Sequence, residues 1–228
     1  MLKSALRGIL VAIFASGGLF AADDVKIYII HGFGANSDSY WYPWLKSELS
    51  SEVGKKIKAE NIIIPDLPTP PTLQAWKDKI KEEVAGQMNE RTYFVTHGIG
   101  GVATLKFIEE SGHKVGGIVL VGGFDKPFQG VQNNIKTFTN ALLDYKNLAQ
   151  HIKHIAVISA RDDKSIPYSA SEDLADKLNA KFILEQGGRV KANQVGYTSP
   201  RIIYSEIRLM IDADNPPPPP ADDKAKKK

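Results

Sequence analysis

The sequence contains no cysteine among its 228 residues, which excludes disulfides, cysteine-based metal sites and thiol chemistry. Neither sign of charge dominates, because 29 Lys and Arg residues stand against 26 Asp and Glu residues. This balance gives no indication of a nucleic-acid or acidic-lipid partner. No Gly-Lys-Ser/Thr motif and no dinucleotide-binding glycine pattern is present, so we expect no cofactor.

Residues 1–21 have the layout of a secretory signal peptide. Lys3 and Arg7 precede the apolar stretch 9–20, and two alanines follow it. The stretch is short and contains Gly and Ser, which favours a cleaved signal over an uncleaved membrane anchor. We therefore predict cleavage after Ala21 or one residue later. The mature protein is then exported, periplasmic or secreted, and has no membrane attachment.

The other end of the chain, residues 212–228, is predicted to be a disordered tail. It contains five consecutive prolines followed by a lysine-rich end. Proline runs form a stiff polyproline II segment, which serves either as a spacer or as a docking ligand for a protein partner. Between the two ends, residues 22–211 are long enough to bury a core as one domain.

Strand and helix patterns alternate along this domain. Short apolar runs predict strands at 25–30, 62–64, 93–95, 115–121, 155–159 and 182–184. Segments with helical spacing lie between them, including an apolar stripe through Trp76 and Ile80 that indicates a core-facing helix. The alternation predicts an α/β fold with a mostly parallel sheet and helices on both faces. Ligands of such sheets bind at the carboxyl ends of the strands.

One of these strand ends carries the sequence Thr-His-Gly-Ile-Gly-Gly, residues 96–101. Its spacing is that of a nucleophile elbow, a sharp strand-to-helix turn that raises a reactive side chain above the sheet. Gly98 occupies the position of the nucleophile and has no side chain to react. Glycine adopts the backbone angles of such a turn readily, so it would also relieve strain there.

Other strand ends carry His-Gly-Phe-Gly at 31–34, Asp-Lys-Ser-Ile-Pro at 163–167 and Gly-Gly-Arg at 187–189. Together with residues 96–101, these motifs resemble those of the small YdeN-like serine hydrolases, the group that includes retinoblastoma-binding protein 9. The resemblance covers about residues 25–211. It implies the α/β-hydrolase fold and a site in which a serine, an aspartate and a histidine form a catalytic triad.

The resemblance also implies which triad positions have changed. The family carries its serine in Gly-His-Ser-x-Gly, its acid in Asp-x-x-Val-Pro and its base in a late Gly-His. Asp163 matches the acid, whereas Gly98 and Arg189 stand at the serine and histidine positions. The triad order in this fold is nucleophile, acid, histidine, and the last histidine of the chain is His154. The base is therefore missing in any alignment.

With the imidazole replaced, we predict that Asp163 and Arg189 form an ion pair beneath the empty elbow. The alternative is that Arg189 points into solvent.

Other parts of the predicted site are less altered. The backbone amides of Phe33 and Ile99 are expected to face one point, as an oxyanion hole would require. His31 and His97 end two strands that should be neighbours, and we expect them to be structural or to line the pocket. Two histidines without a carboxylate at ligand spacing do not indicate a metal site.

Two functions fit this pattern. The first is a binding protein that has lost the triad and holds a small acyl or peptide ligand, or a protein partner, at the position of the former catalytic site. The second is a carboxylic-ester or amide hydrolase with a non-standard catalytic set, in which His97 or Asp163 activates water. The residues favour the first.

Overall fold

The computed structural model describes residues 25–51, 57–128, 135–187 and 199–214. Six strands and seven α-helices follow one another in this part of the chain. Their order is β1 (Lys26–Ile30), α1 (Tyr42–Ser51), a short 3₁₀ helix (Ala59–Asn61), β2 (Ile62–Ile63), α2 (Leu73–Val84), β3 (Thr92–His97), α3 (Ile99–Ser111), β4 (Val115–Val121), α4 (Lys136–Thr139), α5 (Tyr145–His151), β5 (Ile152–Ala160), α6 (Tyr168–Lys177), β6 (Lys181–Glu185) and α7 (Pro200–Asp214).

The strands form one sheet in the order β2-β1-β3-β4-β5-β6. Every neighbouring pair is parallel. Parallel neighbours need crossover connections, which the helices between the strands supply. The carboxyl ends of β1, β3 and β5 therefore lie along one edge of the sheet. The α/β fold predicted from the alternating patterns is confirmed.

Helices cover both faces of this sheet. One hydrophobic core joins the sheet to α2, α3, α5 and α6, with Trp76, Phe94 and Leu174 among its fully buried side chains. A second core joins the opposite face to α1 and α7, and it includes Leu45 and Val95. Successive side chains of a strand point to opposite faces, so Phe94 enters the first core and Val95 the second.

Helix α2 shows that the predicted apolar stripe is core. The Thr72 hydroxyl caps the helix by accepting an N–H of the first turn at 3.2 Å. Trp76, Ile80 and Val84 are buried along one face. The Trp76 ring N–H donates to the carbonyl oxygen of Pro68 at 2.9 Å, so its polar atom is satisfied inside the core.

Helix α7 ends at Asp214, three residues beyond the end predicted from the sequence. The assignment of residues 212–214 to the tail is therefore wrong. Asp214 accepts hydrogen bonds from the Tyr93 hydroxyl at 2.6 Å and from His154 Nε2 at 2.9 Å, and it also pairs with Lys153. Burial alone would raise the pKa of Asp214, but these three partners together hold it below its ordinary value.

Asp214→Ala is expected to lower the free energy of unfolding by about 1–3 kcal/mol, because it leaves the Tyr93 hydroxyl without its acceptor. Urea denaturation of the purified variants measures this loss. The matched control is Asp222→Ala in the predicted tail, which should change stability by less than about 0.5 kcal/mol. Equal stability of the two variants would contradict an anchoring role for Asp214.

The predicted signal peptide and the residues after Asp214 lie outside the described residues. Among the helices in the described ranges, none is both long enough and apolar enough to cross a bilayer. Cleavage and export stay predictions from the N-terminal pattern.

Candidate functional site

The turn between β3 and α3 has the backbone geometry of an elbow. Gly98 joins the two elements with φ +52° and ψ −122°, in the region that favours glycine. Its N–H donates to the carbonyl oxygen of Val121 at 3.0 Å, which holds the turn against the end of β4. Among the described residues, a Cβ built on Gly98 would meet Ile166 Cδ1 at 3.6 Å, an ordinary contact distance. The turn has room for a side chain that the sequence does not supply.

Asp163, at the predicted acid position, lies at the same edge of the sheet, just after β5. Its Oδ1 accepts the backbone N–H groups of Ser165 at 2.8 Å and Ile166 at 3.1 Å. Burial raises the pKa of Asp163, and the charge of the neighbouring Asp162 acts in the same direction. The carboxyl group is therefore held by the backbone of its own loop while part of it stays desolvated.

Ile166 connects the acid loop to the elbow. Its Cδ1 lies 3.6 Å from the Cβ position of Gly98 and 3.2 Å from that of Gly122, the residue that follows β4. The Cβ position of Gly122 is in turn 4.0 Å from Asp163 Oδ2. The structure thus brings the predicted acid and nucleophile positions to one site.

Arg189 lies outside the described residues, so the Asp163–Arg189 ion pair stays a prediction. Two further acidic residues, Asp162 and Glu185, lie at the ends of β5 and β6. The Asp162 carboxylate packs directly against Gly187, leaving no space for a Cβ there. Burial raises the pKa of Glu185, and Asp162 contributes to the rise. Within the described ranges, no group of three or more His, Asp or Glu side chains is placed to hold a metal ion.

His31 follows β1 and has both ring nitrogens engaged by the backbone. Its Nε2 accepts the N–H of Leu67 at 3.0 Å, so in the neutral ring the proton is on Nδ1. Nδ1 donates to the carbonyl oxygen of Gly32 at 3.0 Å. Burial lowers the pKa of His31, which favours this neutral form. His31 is therefore a structural residue of the site.

His97, the last residue of β3, is buried beside the loop that follows β1. Its Nδ1 lies 2.8 Å from the hydroxyl oxygen of Tyr42. The same hydroxyl accepts the N–H of Gly32 at 3.2 Å. Burial lowers the pKa of His97 to about 4, and the neighbouring His31 acts in the same direction. His97 is consequently neutral at pH 7.

Tyr42 is a residue of the site whose hydrogen-bonding role could not be read from the sequence. It begins α1 and is fully buried, and its hydroxyl joins the loop after β1 to the elbow strand. The run of three aromatic residues, 40–42, was the available signal, because a buried tyrosine hydroxyl requires a hydrogen-bond partner. The pattern gave no indication of which partner that would be.

Phe33 and Ile99, the predicted amide donors, flank the junction of these two loops. The Cβ position of Gly32 lies 3.2 Å from the carbonyl oxygen of His97, so the loop after β1 abuts the elbow. Ile99 begins α3, and its N–H therefore has no acceptor within the helix. Phe33 is 38% exposed, whereas Ile99 is buried. The arrangement is compatible with an oxyanion hole, which stays a prediction.

Stability is expected to decrease as the pH falls from about 6.5 to about 4. The folded pKa of His97 is about 4, and its unfolded value is about 6.5. In this window the unfolded chain binds more protons, so the free energy of unfolding rises with pH and is lost on acidification. Between pH 7 and pH 4.5 the wild type should lose about 2–3 kcal/mol more than His97→Gln. Urea denaturation at both pH values tests this, and parallel losses would contradict it.

A parallel sheet with an elbow after β3 and an acid loop after β5 defines the class of the protein as an α/β-hydrolase. The serine hydrolase family model matches residues 27–204. The chain belongs to the serine hydrolase family, and the resemblance deduced from its motifs is confirmed.

Individual relatives agree with this assignment. The putative hydrolase YdeN of Bacillus subtilis (strain 168) is 35% identical over 181 residues, which are 78% of this chain and 92% of that protein. The serine hydrolase RBBP9 of Rattus norvegicus is 23% identical over 165 residues, 71% of this chain and 84% of the relative.

Solved structures share the fold. The crystal structure of the ydeN gene product from B. subtilis superposes with a TM-score of 0.70 at 31% identity, covering 82% of this chain and 99% of that one. Est1E from Butyrivibrio proteoclasticus gives a TM-score of 0.61 at 13% identity, covering 84% and 90%. The latter likeness concerns the fold alone.

Proposed function

We propose that the protein is a non-catalytic member of this family that binds a small acyl or peptide ligand, or a protein partner, at the site around the elbow. The observation that carries the proposal is Gly98, which holds the elbow conformation without a side chain. A triad in the chain order of this fold would also need a histidine after Asp163, and none follows it in the sequence.

The two site histidines support the proposal because neither offers a lone pair to a water molecule. A general base needs an unprotonated nitrogen within reach of the proton that it removes. In His31 that nitrogen is Nε2, which accepts the Leu67 N–H. In His97 it is Nδ1, which is bound to the Tyr42 hydroxyl. Activation of water by His97 would require this buried hydrogen bond to break.

In this proposal Asp163 and Arg189 act as a structural pair. Asp163 is a desolvated carboxyl group beside a second acidic residue, Asp162. Glu185 adds a third carboxyl group near the end of β6. A planar guanidinium forms charge-assisted bonds with carboxylates, so Arg189 would stabilise the charged form of Asp163.

The proposal places the protein in a periplasm or outside the cell, on the N-terminal pattern of residues 1–21 alone.

A hydrolase with a non-standard catalytic set is the second candidate, and one observation favours it. Burial raises the pKa of Asp163 towards the range in which general bases work. In that mechanism Asp163 would remove a proton from water as the water oxygen attacks an ester or amide carbonyl held at the elbow. The tetrahedral intermediate would then break its bond to the alcohol or amine, which would leave with the proton returned by Asp163.

Ester hydrolysis by the purified protein distinguishes the two candidates. A panel of short-chain p-nitrophenyl esters measures turnover, and a fluorophosphonate probe detects any activated hydroxyl. We expect no turnover above background and no labelling. Turnover that is lost in Asp163→Asn and kept in Asp78→Asn, an exposed control on α2, would establish the second candidate. Stoichiometric labelling would equally overturn the proposal.

A further inference from the structure

We infer that His97 is a fixed hydrogen-bond donor, protonated on Nε2, and that this N–H binds an acceptor oxygen of a small ligand with an aromatic or apolar body. The ligand class is a carbonyl compound or a carboxylate, and organic cations are excluded. The ligand part of this inference rests on the proposed function, whereas the protonation state of His97 follows from the hydrogen bonds of the folded protein alone.

The directions of two hydrogen bonds determine which ring nitrogen of His97 carries the proton. A backbone N–H can only donate, so the Tyr42 hydroxyl oxygen accepts from Gly32. In the described part of the chain, His97 Nδ1 is the acceptor that the Tyr42 hydroxyl hydrogen meets. Nδ1 therefore carries a lone pair, and the single proton of the neutral ring lies on Nε2. An imidazolium would need to donate from Nδ1 and would break this chain of bonds.

The other ring nitrogen of His97, Nε2, is available to bind a ligand. His97 is 6% exposed, and within the described ranges its Nε2 has no hydrogen-bond partner. An N–H donor without a partner in the protein is available to an acceptor atom of a ligand. A neutral N–H has no acceptor to offer to an ammonium group, so it selects for oxygen acceptors.

Three aromatic rings lie close to the imidazole ring of His97. The ring centroids of Tyr40, Trp41 and Tyr42 lie 5.9, 6.1 and 6.1 Å from that of His97. Tyr40 has φ +53°, in the left-handed region that non-glycine residues rarely adopt. Strained residues of this kind are retained where the surrounding structure requires the side chain in one place. Apolar walls with few polar groups are typical of small-molecule sites.

The charged groups around His97 agree with a neutral donor. His31 faces it and is itself neutral because both of its nitrogens are engaged. Burial lowers the pKa of His31 and outweighs the charge of Asp66, which raises it. Asp66 itself accepts the Ser37 N–H at 2.7 Å. The selectivity of the site would therefore come from hydrogen-bond direction, with an uncharged amide and a carboxylate both able to accept.

Nitrogen-15 NMR of the full-length protein tests the protonation state. At pH 5.5 we expect one histidine, absent in His97→Gln, to give the signals of a neutral ring protonated on Nε2. Tyr42→Phe should alter the His97 signals, and His113→Gln should leave them unchanged. A ring protonated on Nδ1, or a charged ring at pH 7, would overturn the inference.

Binding of three probes with the same ring tests the ligand class. Benzamide and benzoate should shift the Nε2–H signals of His97, and benzylamine should not. His97→Leu is expected to weaken benzamide binding about tenfold, whereas His97→Gln, which keeps an N–H donor, should weaken it less. Equal shifts with benzylamine, or no shift with any probe, would overturn the ligand class. Ester turnover by the wild type would refute the proposed function and leave the protonation state standing, so the two failures are distinguishable.

Discussion

The double substitution Gly98→Ser and Arg189→His is expected to give the protein esterase activity about 10²–10³-fold above the unmodified chain. The backbone at position 98 already has the elbow conformation, and the nearest described atom, Ile166 Cδ1, would lie 3.6 Å from a Cβ there. Asp163 lies at the same edge of the sheet. A complete triad contributes about 10⁶ to kcat, and a newly assembled one should recover part of this.

Hydrolysis of p-nitrophenyl acetate by the unmodified protein, the two single variants and the double variant measures this gain. Each single variant should stay inactive, because a serine hydroxyl without a base is a weak nucleophile. Adding Asp163→Asn to the double variant should remove most of the activity. Gly98→Ser is expected to lower stability by about 1–2 kcal/mol, since a Cβ is unfavourable at φ +52°. A folded double variant without activity would show that elbow and acid are no longer placed for catalysis.

Gly100→Ala is expected to lower the free energy of unfolding by more than about 3 kcal/mol, enough to unfold a domain of ordinary stability. A Cβ on Gly100 would lie 2.5 Å from the carbonyl oxygen of His31 and 2.9 Å from that of Ile30. Both atoms belong to the backbone at the end of β1 and cannot rotate aside. In an unobstructed helix the same change would stabilise by up to about 1 kcal/mol, so contact with β1 reverses the sign.

Gly112→Ala at the other end of α3 is the matched control for Gly100→Ala. Gly112 has φ +66°, but no atom lies within 4 Å of its Cβ position among the described residues. Backbone strain alone should lower its stability by about 1 kcal/mol. Urea denaturation of both variants at pH 7 measures the difference. A similar small loss in both would contradict the close approach of α3 to β1.

The sheet and the elbow were predictable because their signals are local. Strands β3 and β4 are buried along their whole lengths, so they appear in the sequence as short apolar runs. The small residues around Gly98 and the proline after Asp163 likewise mark turns that follow strands directly. The sequence therefore indicated both the fold class and which strand ends form the site.

The hydrogen bonds that define the site were not predictable in the same way. Tyr42 and His97 are 55 residues apart, and their contact depends on how α1 packs against the sheet. The end of α7 was misplaced for a related reason. Asp214 is held by Tyr93 and His154, which are distant in sequence, whereas the local pattern is merely polar.

Helix α7 also runs from one edge of the sheet to the other. It begins near Glu185, which accepts the Ser199 N–H at 2.6 Å at the carboxyl edge of the sheet. It ends at Asp214, beside Tyr93 and His154, which lie towards the starts of β3 and β5. A resin, dye or fused domain joined after Asp214 would therefore be attached at the edge opposite the elbow. Immobilisation directly after Asp214 would therefore leave the elbow and the acid loop on the edge that faces the solution.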